Sequence, residues 1–348
     1  MEIGIIGSSQ SGKSTIFQIM TGVNSREIFG ERFVKGTANI PDARFEKLVE
    51  IFKPAKVSPA VVPFTDVNLS GKEAWDKARN GLSGADGFLH IIDAFTTQDV
   101  AELAKSYRSL TDDLILADLI VVENRLERLQ KTKASVKPED AIHAKVLPHA
   151  KELLENGKLL RELKLSQDEF NSLKGFTFWT IRPELVVLNI AEDIPHDVIA
   201  SASEAISSMH SGNTSNIINI CCQIELEIAA LPPAERGEFL ASMNIKEPAF
   251  ERIIKASFAS IGRMFYFTVG EDEVKAWVVP TNSTAPKAAS AIHKDFERGF
   301  IKAEVVGYDD FINCGGTLAG AKQAGKFRLE GKEYIVKDGD IINFRFNV

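Results

Sequence analysis

The pattern of apolar positions divides the chain into stretches with different periods. Five short, largely apolar runs read as buried strands and cover residues 3–6, 61–67, 88–93, 185–189 and 216–221. Apolar residues at helical spacing follow the first run, in 14–21, and recur in 42–52. The stretch 22–37 has no clear period, and we predict a loop there. Strands that alternate with helices predict an α/β fold, a doubly wound and mostly parallel sheet with helices on both faces.

A narrower apolar stripe marks the middle of the chain. Its members are spaced four, three, four and three residues apart and are Ile115, Leu119, Val122, Leu126 and Leu129. Charged residues surround this stripe, as in one helix of a coiled coil. Residues 133–138 interrupt the pattern, and a second stripe then runs to a helix-stop signal at Asn156–Gly157. We predict an antiparallel helical hairpin that projects as an arm; the alternative is that both helices pack on the sheet.

The end of the chain has the pattern of a small α+β domain. Alternating or apolar runs predict strands at 274–279 and 301–306, and an amphipathic stretch predicts a helix over 285–297. The last run, 334–346, contains a turn signal at Lys337–Asp340, which predicts a hairpin between its two halves. About 80 residues are enough for an independent domain.

The most specific motif of the chain lies within its first fifteen residues. Gly7, Gly12, Lys13 and Ser14 fit the pattern G-x-x-x-x-G-K-[ST], between a predicted strand and a predicted helix. In such a loop, successive main-chain N–H groups converge on phosphate oxygens, and the following helix adds its own unpaired N–H groups. Lys13 would reach the β- and γ-phosphates, and the Ser14 hydroxyl would be offered to Mg²⁺. The predicted phosphate-binding residues are Gly7, Gln10, Ser11, Gly12, Lys13, Ser14 and Thr15. The alternative is a chance match in a turn rich in glycine and serine.

Composition is that of an ordinary globular protein. Of 348 residues, 44% are apolar and 26% are charged, and the net charge is −7, which argues against a protein coated in positive charge. The three cysteines, Cys221, Cys222 and Cys314, fit neither a disulfide framework nor a zinc pattern. No apolar run approaches 18 residues, and the N-terminus lacks the layout of a signal peptide. We therefore expect a cytoplasmic protein with no membrane association.

Several motifs give the chain a resemblance to a known family. They are Gly12–Thr15, Pro41–Arg44, Leu116–Leu119, Arg128–Lys131, Ala276–Trp277, Thr284–Ala289, Ile292–Ile301, Gly325–Lys332 and Asp338–Val348. On these residues the chain resembles the YchF subfamily of P-loop GTPases, within the Obg-related group, over nearly its whole length. The resemblance implies a P-loop NTPase domain, an inserted α-helical coiled-coil arm and a C-terminal TGS domain with a β-grasp fold. The expected bounds are 1–110 with 183–262 for the nucleotide-binding domain, 111–182 for the arm and 265–348 for the TGS domain.

The same resemblance implies an activity and partners. Family members bind ATP as well as GTP, hydrolyse the nucleotide slowly and associate with ribosomes. We therefore expect Mg²⁺ with ATP or GTP as the bound species, Ser14 and Asp66 as its metal ligands, and contacts with the ribosome or RNA through the arm and the TGS domain. A monomer is expected.

Base recognition is expected to differ from that of guanine-specific relatives, which use Asn-Lys-x-Asp. The matching residues are Asn189-Ile190-Ala191-Glu192, and the longer Glu192 side chain cannot lie where the Asp would. Asn189, Glu192 and Cys222 are the predicted base-binding residues, because doubly wound sheets bind ligands at the ends of their strands. Alternatively, Asn189 ties this loop to the phosphate loop or caps a strand, and Glu192 is simply solvated.

The switch regions depart from the family pattern. Asp66 is present, but Leu69 stands where Asp-x-x-Gly requires the glycine, and Gly30 falls at the place of the threonine that ligates Mg²⁺. No catalytic residue can be assigned. Two hypotheses remain open, a slow ATPase or GTPase and a nucleotide-binding regulator with little or no hydrolysis. A third, a scaffold that acts through the arm and the TGS domain, predicts no nucleotide binding.

Overall fold

The chain folds into two compact units. The structure, a computed structural model, describes residues 1–28, 32–67, 78–79, 81–131, 138–209 and 217–347. The first unit consists of Met1–Ala38 and Pro63–Ser257, and the second of Asn39–Val62 and Phe258–Val348. None of the helices within these described ranges is both long and apolar enough to span a membrane.

The strands form two sheets. In chain order they are β1 (Ile3–Gly7), β2 (Phe33–Asn39), β3 (Lys56–Ser58), β4 (Val61–Val67), β5 (Gly87–Ala94), β6 (Glu184–Ile190), β7 (Ile217–Ile220), β8 (Arg263–Thr268), β9 (Glu273–Pro280), β10 (Phe300–Gly307), β11 (Arg328–Glu330) and β12 (Asp340–Phe346). One sheet has the order β2-β4-β1-β5-β6-β7, and the other has the order β11-β10-β12-β8-β9-β3.

Helices account for most of the remaining ordered chain. Those of the described ranges are α1 (Lys13–Thr21), α2 (Ala43–Phe52), α3 (Val100–Lys131), α4 (Pro138–Glu155), α5 (Gln167–Leu173), α6 (His196–Met209), α7 (Cys222–Ala230), α8 (Pro233–Ser242), α9 (Ala249–Ser260), α10 (Ala285–Ala289), α11 (Lys294–Arg298), α12 (Tyr308–Asn313) and α13 (Leu318–Gln323). A 3₁₀ turn, Ser25–Glu27, follows α1.

The first sheet confirms the predicted doubly wound fold. Strands β1, β4, β5, β6 and β7 are parallel to their neighbours in this set, and their apolar runs are buried, as at Ile5, Phe64 and Val187. Strand β1 leads directly into the phosphate-loop motif, so the motif lies at the carboxyl edge of a central strand. That edge is where open parallel sheets bind ligands.

The prediction of a loop over 22–37 is wrong in its second half, because β2 begins at Phe33. The strand alternates between buried and exposed positions, but its buried positions include Gly36 and Ala38. Such small residues contribute little to a hydrophobic pattern, and they alternate with the exposed polar residues Lys35 and Thr37. Every second residue of β2 is therefore buried, but the buried Gly36 and Ala38 are too small to show this alternation in the sequence.

The two predicted arm helices are present and antiparallel. Helix α3 begins at Val100, before the expected start of the arm at 111, because its first half packs on the sheet through Leu103 and Tyr107. Its second half pairs with α4, and four of the five predicted seam residues lie in a core shared by both helices, namely Ile115, Leu119, Val122 and Leu126. Leu129 is not part of that core. Arg125, near the end of α3, bonds Asp140 in the first turn of α4 at 2.5 Å, which fixes the antiparallel arrangement.

A buried carboxylate fastens α3 to the segment that returns to the sheet. Asp118 is fully buried. Its Oδ1 accepts a hydrogen bond from the main-chain N–H of Trp179 at 3.0 Å, and its Oδ2 accepts from the N–H and hydroxyl of Thr180 at 2.8 and 2.9 Å. The Arg79 guanidinium lies 3.2 Å from Oδ1. The Leu116–Leu119 motif therefore includes a structural anchor.

The second sheet has the strand arrangement of the predicted β-grasp fold. Strands β8 and β9 form an antiparallel hairpin, and the last strand, β12, lies parallel to β8 in the middle of the sheet. The predicted helix over 285–297 is split into α10 and α11, with residues 290–293 between them. The buried faces of α10 and the sheet form one core that contains Tyr266, Ala288, Val305 and Ile342.

The predicted hairpin over 334–346 is wrong. Strand β12 pairs with β10 and β8, while residue Ile335 forms only an isolated bridge with Thr284. The turn itself exists, since the Asp340 N–H donates to the Lys337 carbonyl and Gly339 has a φ of 81°. The turn signal identified the change of direction, but strand pairing was decided by β10, which occupies the place beside β12.

Residues 39–62 belong to the second unit, although the sequence analysis assigned them to the nucleotide-binding domain. Arg44 explains much of this difference, because it donates to Asp42 and Asp338 at 2.8 Å each and lies over the ring of Phe267. Phe45 also packs against Phe267. Such pairing across hundreds of residues leaves no local signal in the sequence.

Candidate functional site

The phosphate-loop motif forms a tight turn between β1 and α1. A Cβ at Gly7 would lie 2.4 Å from the Ile91 carbonyl oxygen, and a Cβ at Gly12 would lie 2.6 Å from the Asn189 amide nitrogen. Gly12 also has a φ of 99°, which L-residues rarely adopt. Both positions therefore require glycine, and both requirements come from residues on neighbouring strands of the sheet.

Lys13 folds back over this loop. Its Nζ donates to the main-chain carbonyls of Gly7 at 3.1 Å and Ser8 at 2.6 Å. Burial lowers the pKa of the Lys13 ammonium, and the Asp66 carboxylate opposes that shift. The ammonium is thus held at the centre of the loop, where an anion would gain most from it.

A cavity of about 780 Å³ opens at the loop. The residues that line it are Ser9, Gln10, Gly12, Lys13, Ser14, Thr15, Arg26, Val67, Phe95, Asn189, Cys222, Gln223 and Leu226. This lining includes two cations, Lys13 and Arg26, and none of the described residues in it is acidic. It also includes two partly exposed apolar side chains, Phe95 at 51% and Leu226 at 39%. A cationic region beside an apolar one suits a molecule with an anionic tail and a flat aromatic head.

Asn189 joins three loops of the site. It is buried, its Nδ2 donates to the Ser11 carbonyl at 3.2 Å, and its Oδ1 accepts from the Cys222 N–H at 3.4 Å. This is the tie to the phosphate loop that the sequence left open as an alternative to base contact. Burial raises the pKa of the Cys222 thiol to about 12, so this side chain is a neutral thiol at pH 7.

Removing this tie should loosen the phosphate loop. We expect Asn189→Ala to weaken ATP binding by about tenfold, because it leaves a buried N–H and a buried carbonyl without a partner. Asn171→Ala, on the exposed side of α5, is the matched control and should bind ATP as the unmodified chain does. Calorimetric titration checks both. Equal affinities of Asn189→Ala and the unmodified chain would show that the tie does not shape the site.

Asp66 lies at the end of β4 and is fully buried. Its Oδ2 accepts from the Ser25 hydroxyl at 2.6 Å, whereas its Oδ1 is buried without a hydrogen-bond partner among the described residues. An unpaired carboxylate oxygen fits a hard cation such as Mg²⁺, which takes one or two protein oxygens and completes its shell with phosphate oxygens and water. In the described ranges, no group of three His, Cys, Asp or Glu side chains could hold a metal ion. The unpaired Oδ1 of Asp66 fits a metal that takes its other ligands from a nucleotide and water.

The structure brings most of the predicted site residues together. Gln10, Gly12, Lys13, Ser14, Thr15, Asn189 and Cys222 line the cavity. Gly7 and Ser11 lie behind this lining, where their carbonyls accept from Lys13 and Asn189. Glu192 is exposed and is not part of the lining. Gly30 and Leu69, the switch positions that depart from the family pattern, lie outside the described residues.

Six residues of the cavity lining were not among the predicted site residues: Ser9, Arg26, Val67, Phe95, Gln223 and Leu226. Phe95 follows β5, and its position just beyond the carboxyl end of a parallel strand was a usable signal. Leu226 lies one helical turn beyond Cys222 on α7. The prediction of Cys222 as a site residue was therefore an indirect signal for Leu226. Arg26 lies in the stretch read as a loop, and nothing in its neighbourhood distinguishes it from a solvated arginine.

Comparisons with known proteins agree with this geometry. A family model described as YchF-GTPase_C, "Protein of unknown function (DUF933)", matches residues 264–347. The "Ribosome-binding ATPase YchF" of Pasteurella multocida is 37% identical over 99% of both chains, and that of Bacillus subtilis is 36% identical over 99% of both. "Obg-like ATPase 1" of rice is 33% identical over 100% of this chain and 92% of its own length.

A solved structure supports the fold independently. The solved structure of the Schizosaccharomyces pombe YchF GTPase superposes on this chain with a TM-score of 0.82 at 24% identity, and the match covers 99% of this chain and 97% of the other. The similarity extends over the phosphate loop, the helical arm and the C-terminal sheet. From the full-length relatives and the C-terminal family model, the chain belongs to the YchF family.

Proposed function

We propose that this protein binds ATP or GTP at the cavity beside residues 7–15, hydrolyses it slowly and acts as a ribosome-associated regulator in the cytoplasm. The observation that carries the proposal is the cavity itself, with Lys13 and Arg26 in a lining without described carboxylates. The relatives from Pasteurella multocida and Bacillus subtilis are named ribosome-binding ATPases, and this supports the same function.

The phosphate end of the ligand would lie against the start of α1. Main-chain N–H groups of the loop and of the first helical turn would bind phosphate oxygens, and Lys13 would exchange its two carbonyl partners for the β- and γ-phosphates. Ser14 and Asp66 would hold a Mg²⁺ that, when bound, neutralises part of the phosphate charge. The hydrogen bond from Ser25 orients the Asp66 carboxylate for this task.

The base end would lie between Phe95 and Leu226. Their exposed apolar surfaces border the cavity, and stacking on an aromatic ring is favourable for either purine. Both ends of the Asn189 side-chain amide are engaged by Ser11 and Cys222. Its main role would therefore be to hold the pocket in shape, and it would contribute little to recognition of the base. A site of this kind accepts adenine and guanine, in accordance with the absence of the Asn-Lys-x-Asp sequence.

Glu192 is expected to influence the choice of base. Replacing Glu192 by Asp shortens the side chain to the length that guanine-specific proteins use, so we expect the ratio of GTP to ATP affinity to rise by about three- to tenfold. Competition titrations with labelled ATP and GTP measure the ratio. Asp193→Glu, at the neighbouring exposed position, is the control. An unchanged ratio in Glu192→Asp would remove Glu192 from the base site.

The second candidate function is nucleotide binding with little or no hydrolysis. It is favoured by Leu69 and Gly30 in the sequence, since both stand where the family uses residues that contact the γ-phosphate or the metal. Phosphate release under saturating ATP and Mg²⁺ separates the two functions. If the protein hydrolyses ATP, we expect a rate of phosphate release clearly above that of a Lys13→Ala control. Equal rates would support the nucleotide-binding regulator that does not hydrolyse ATP.

The helical arm and the C-terminal domain are the proposed contacts with the ribosome. We assign the arm to residues 111–182 and the C-terminal domain, of TGS type, to 265–348. Lys and Arg number 11 in that domain and Asp and Glu number 12, so recognition there would depend on local arrangement instead of net charge.

A further inference from the structure

We propose that Arg26 is a phosphate-binding residue of the nucleotide site, supplied by the short turn that follows α1. The proposal rests on the function proposed above and adds a residue to it. Neither the motif nor the resemblance to the YchF family pointed to this arginine, and the sequence stretch that contains it reads as a loop.

The first observation is the position of the guanidinium. Arg26 lines the same cavity as Lys13, Ser14 and Thr15. Its Nη2 donates to the Thr15 hydroxyl at 2.8 Å, which places the planar group beside the first turn of α1. Main-chain N–H groups of that turn are the ones that would bind phosphate, so the guanidinium lies at the border of the phosphate position.

The second observation is the charge around it. Among the described residues, no carboxylate lies within ion-pair distance of the Arg26 guanidinium. Its neighbour Glu27 instead accepts a hydrogen bond from the Asn24 side chain at 2.8 Å. A guanidinium has five N–H donors in a fork that matches phosphate oxygens, and one of its nitrogens is engaged by Thr15. The remaining donors have no hydrogen-bond partner among the described residues, and Arg26 lines the cavity.

The third observation is that the turn is held in place. Ser25 is buried and bonds Asp66, and the Asn24 side chain accepts from the Arg26 N–H at 3.2 Å. Two adjacent residues of one 3₁₀ turn therefore contact different parts of the site. Ser25 bonds the Asp66 carboxylate, and Arg26 bonds Thr15 in the first turn of α1. This anchoring lowers the entropy cost of presenting the guanidinium to a ligand.

Together these features indicate what Arg26 does. An arginine supplied from the same chain can compensate phosphate charge in P-loop proteins. In this chain it stands close to the motif while the sequence places Gly30 where the family uses threonine. The guanidinium would bind the phosphate chain of either purine nucleotide, because its hydrogen bond to Thr15 holds it at the start of α1.

The test compares three variants by calorimetric titration with ATP and with ADP in the presence of Mg²⁺. Arg26→Gln keeps an N–H donor for Thr15 but removes the charge, and we expect it to weaken both ligands by about ten- to a hundredfold. Arg26→Lys keeps the charge but not the fork, and should lose about three- to tenfold. Glu27→Gln, in the same turn but outside the cavity lining, is the control and should stay within about twofold.

The outcomes separate this inference from the function on which it rests. If Arg26→Gln binds ATP as the unmodified chain does, or if Glu27→Gln loses as much as Arg26→Gln, the role of Arg26 is structural and the inference is overturned. If the unmodified chain binds neither ATP nor ADP, the proposed function fails first. A graded loss, with Lys between Arg and Gln, supports a charged contact with phosphate.

Discussion

Replacing Lys13 by alanine is expected to weaken ATP binding by at least about a hundredfold. The ammonium is partly buried and donates to two main-chain carbonyls of the phosphate loop. A charge-assisted hydrogen bond to phosphate is worth roughly 1.5–3 kcal/mol, and Lys13 would make more than one. Titration with ATP and Mg²⁺ measures the loss.

A second lysine provides the control for Lys13. Lys47 lies on the exposed side of α2, where it pairs with Glu50, and Lys47→Ala should bind ATP with unchanged affinity. Circular dichroism should show that both variants keep the fold. If Lys13→Ala retains an affinity within threefold of the unmodified chain, the loop does not bind phosphate through this residue and the assignment of the site is wrong.

Among the substitutions proposed for this chain, Asp118→Ala is expected to cause the largest loss of stability. We expect the free energy of unfolding to fall by about 3–5 kcal/mol. The fully buried carboxylate accepts from Trp179 and Thr180 and lies beside the partly buried Arg79. Its removal leaves two main-chain N–H groups and a hydroxyl without their acceptor and deprives the Arg79 guanidinium of its counter-ion. Urea unfolding, followed by far-ultraviolet circular dichroism, measures the difference.

An exposed acid on the same helix is the control for Asp118. Asp112 pairs with Arg108 at 3.8 Å, and both side chains are more than half exposed. Such pairs contribute little to stability, so Asp112→Ala should change the free energy of unfolding by less than about 0.5 kcal/mol. A similar small effect for Asp118→Ala would mean that the buried network is not an anchor of α3.

Local patterns predicted the parts of the fold that depend on neighbours in sequence. The phosphate loop was visible because Gly7, Gly12 and Lys13 have fixed spacing between a strand and a helix. The seam of α3 was visible because Ile115 and Val122 repeat at helical spacing. In both cases the physical requirement lies within one turn or one helix, so the residues that satisfy it are close in sequence.

The features that were missed depend on distant partners. The pairing of β12 with β10 and the joining of Arg44 to Asp338 involve residues that are far apart in the chain. The role of Asp118 became visible only with Trp179 and Thr180, although its motif had been recognised. No sequence pattern pointed to Arg26, because its proposed role depends on its contact with Thr15 and not on the residues next to it in the chain.

The most direct test of the account is a crystal structure with a non-hydrolysable ATP analogue and Mg²⁺. We expect phosphate oxygens within about 3.2 Å of the main-chain N–H groups of residues 10–15. We also expect the Lys13 ammonium to leave the Gly7 and Ser8 carbonyls for those oxygens. An empty cavity beside the loop, or an analogue bound elsewhere on the chain, would contradict the claim that residues 7–15 hold the nucleotide.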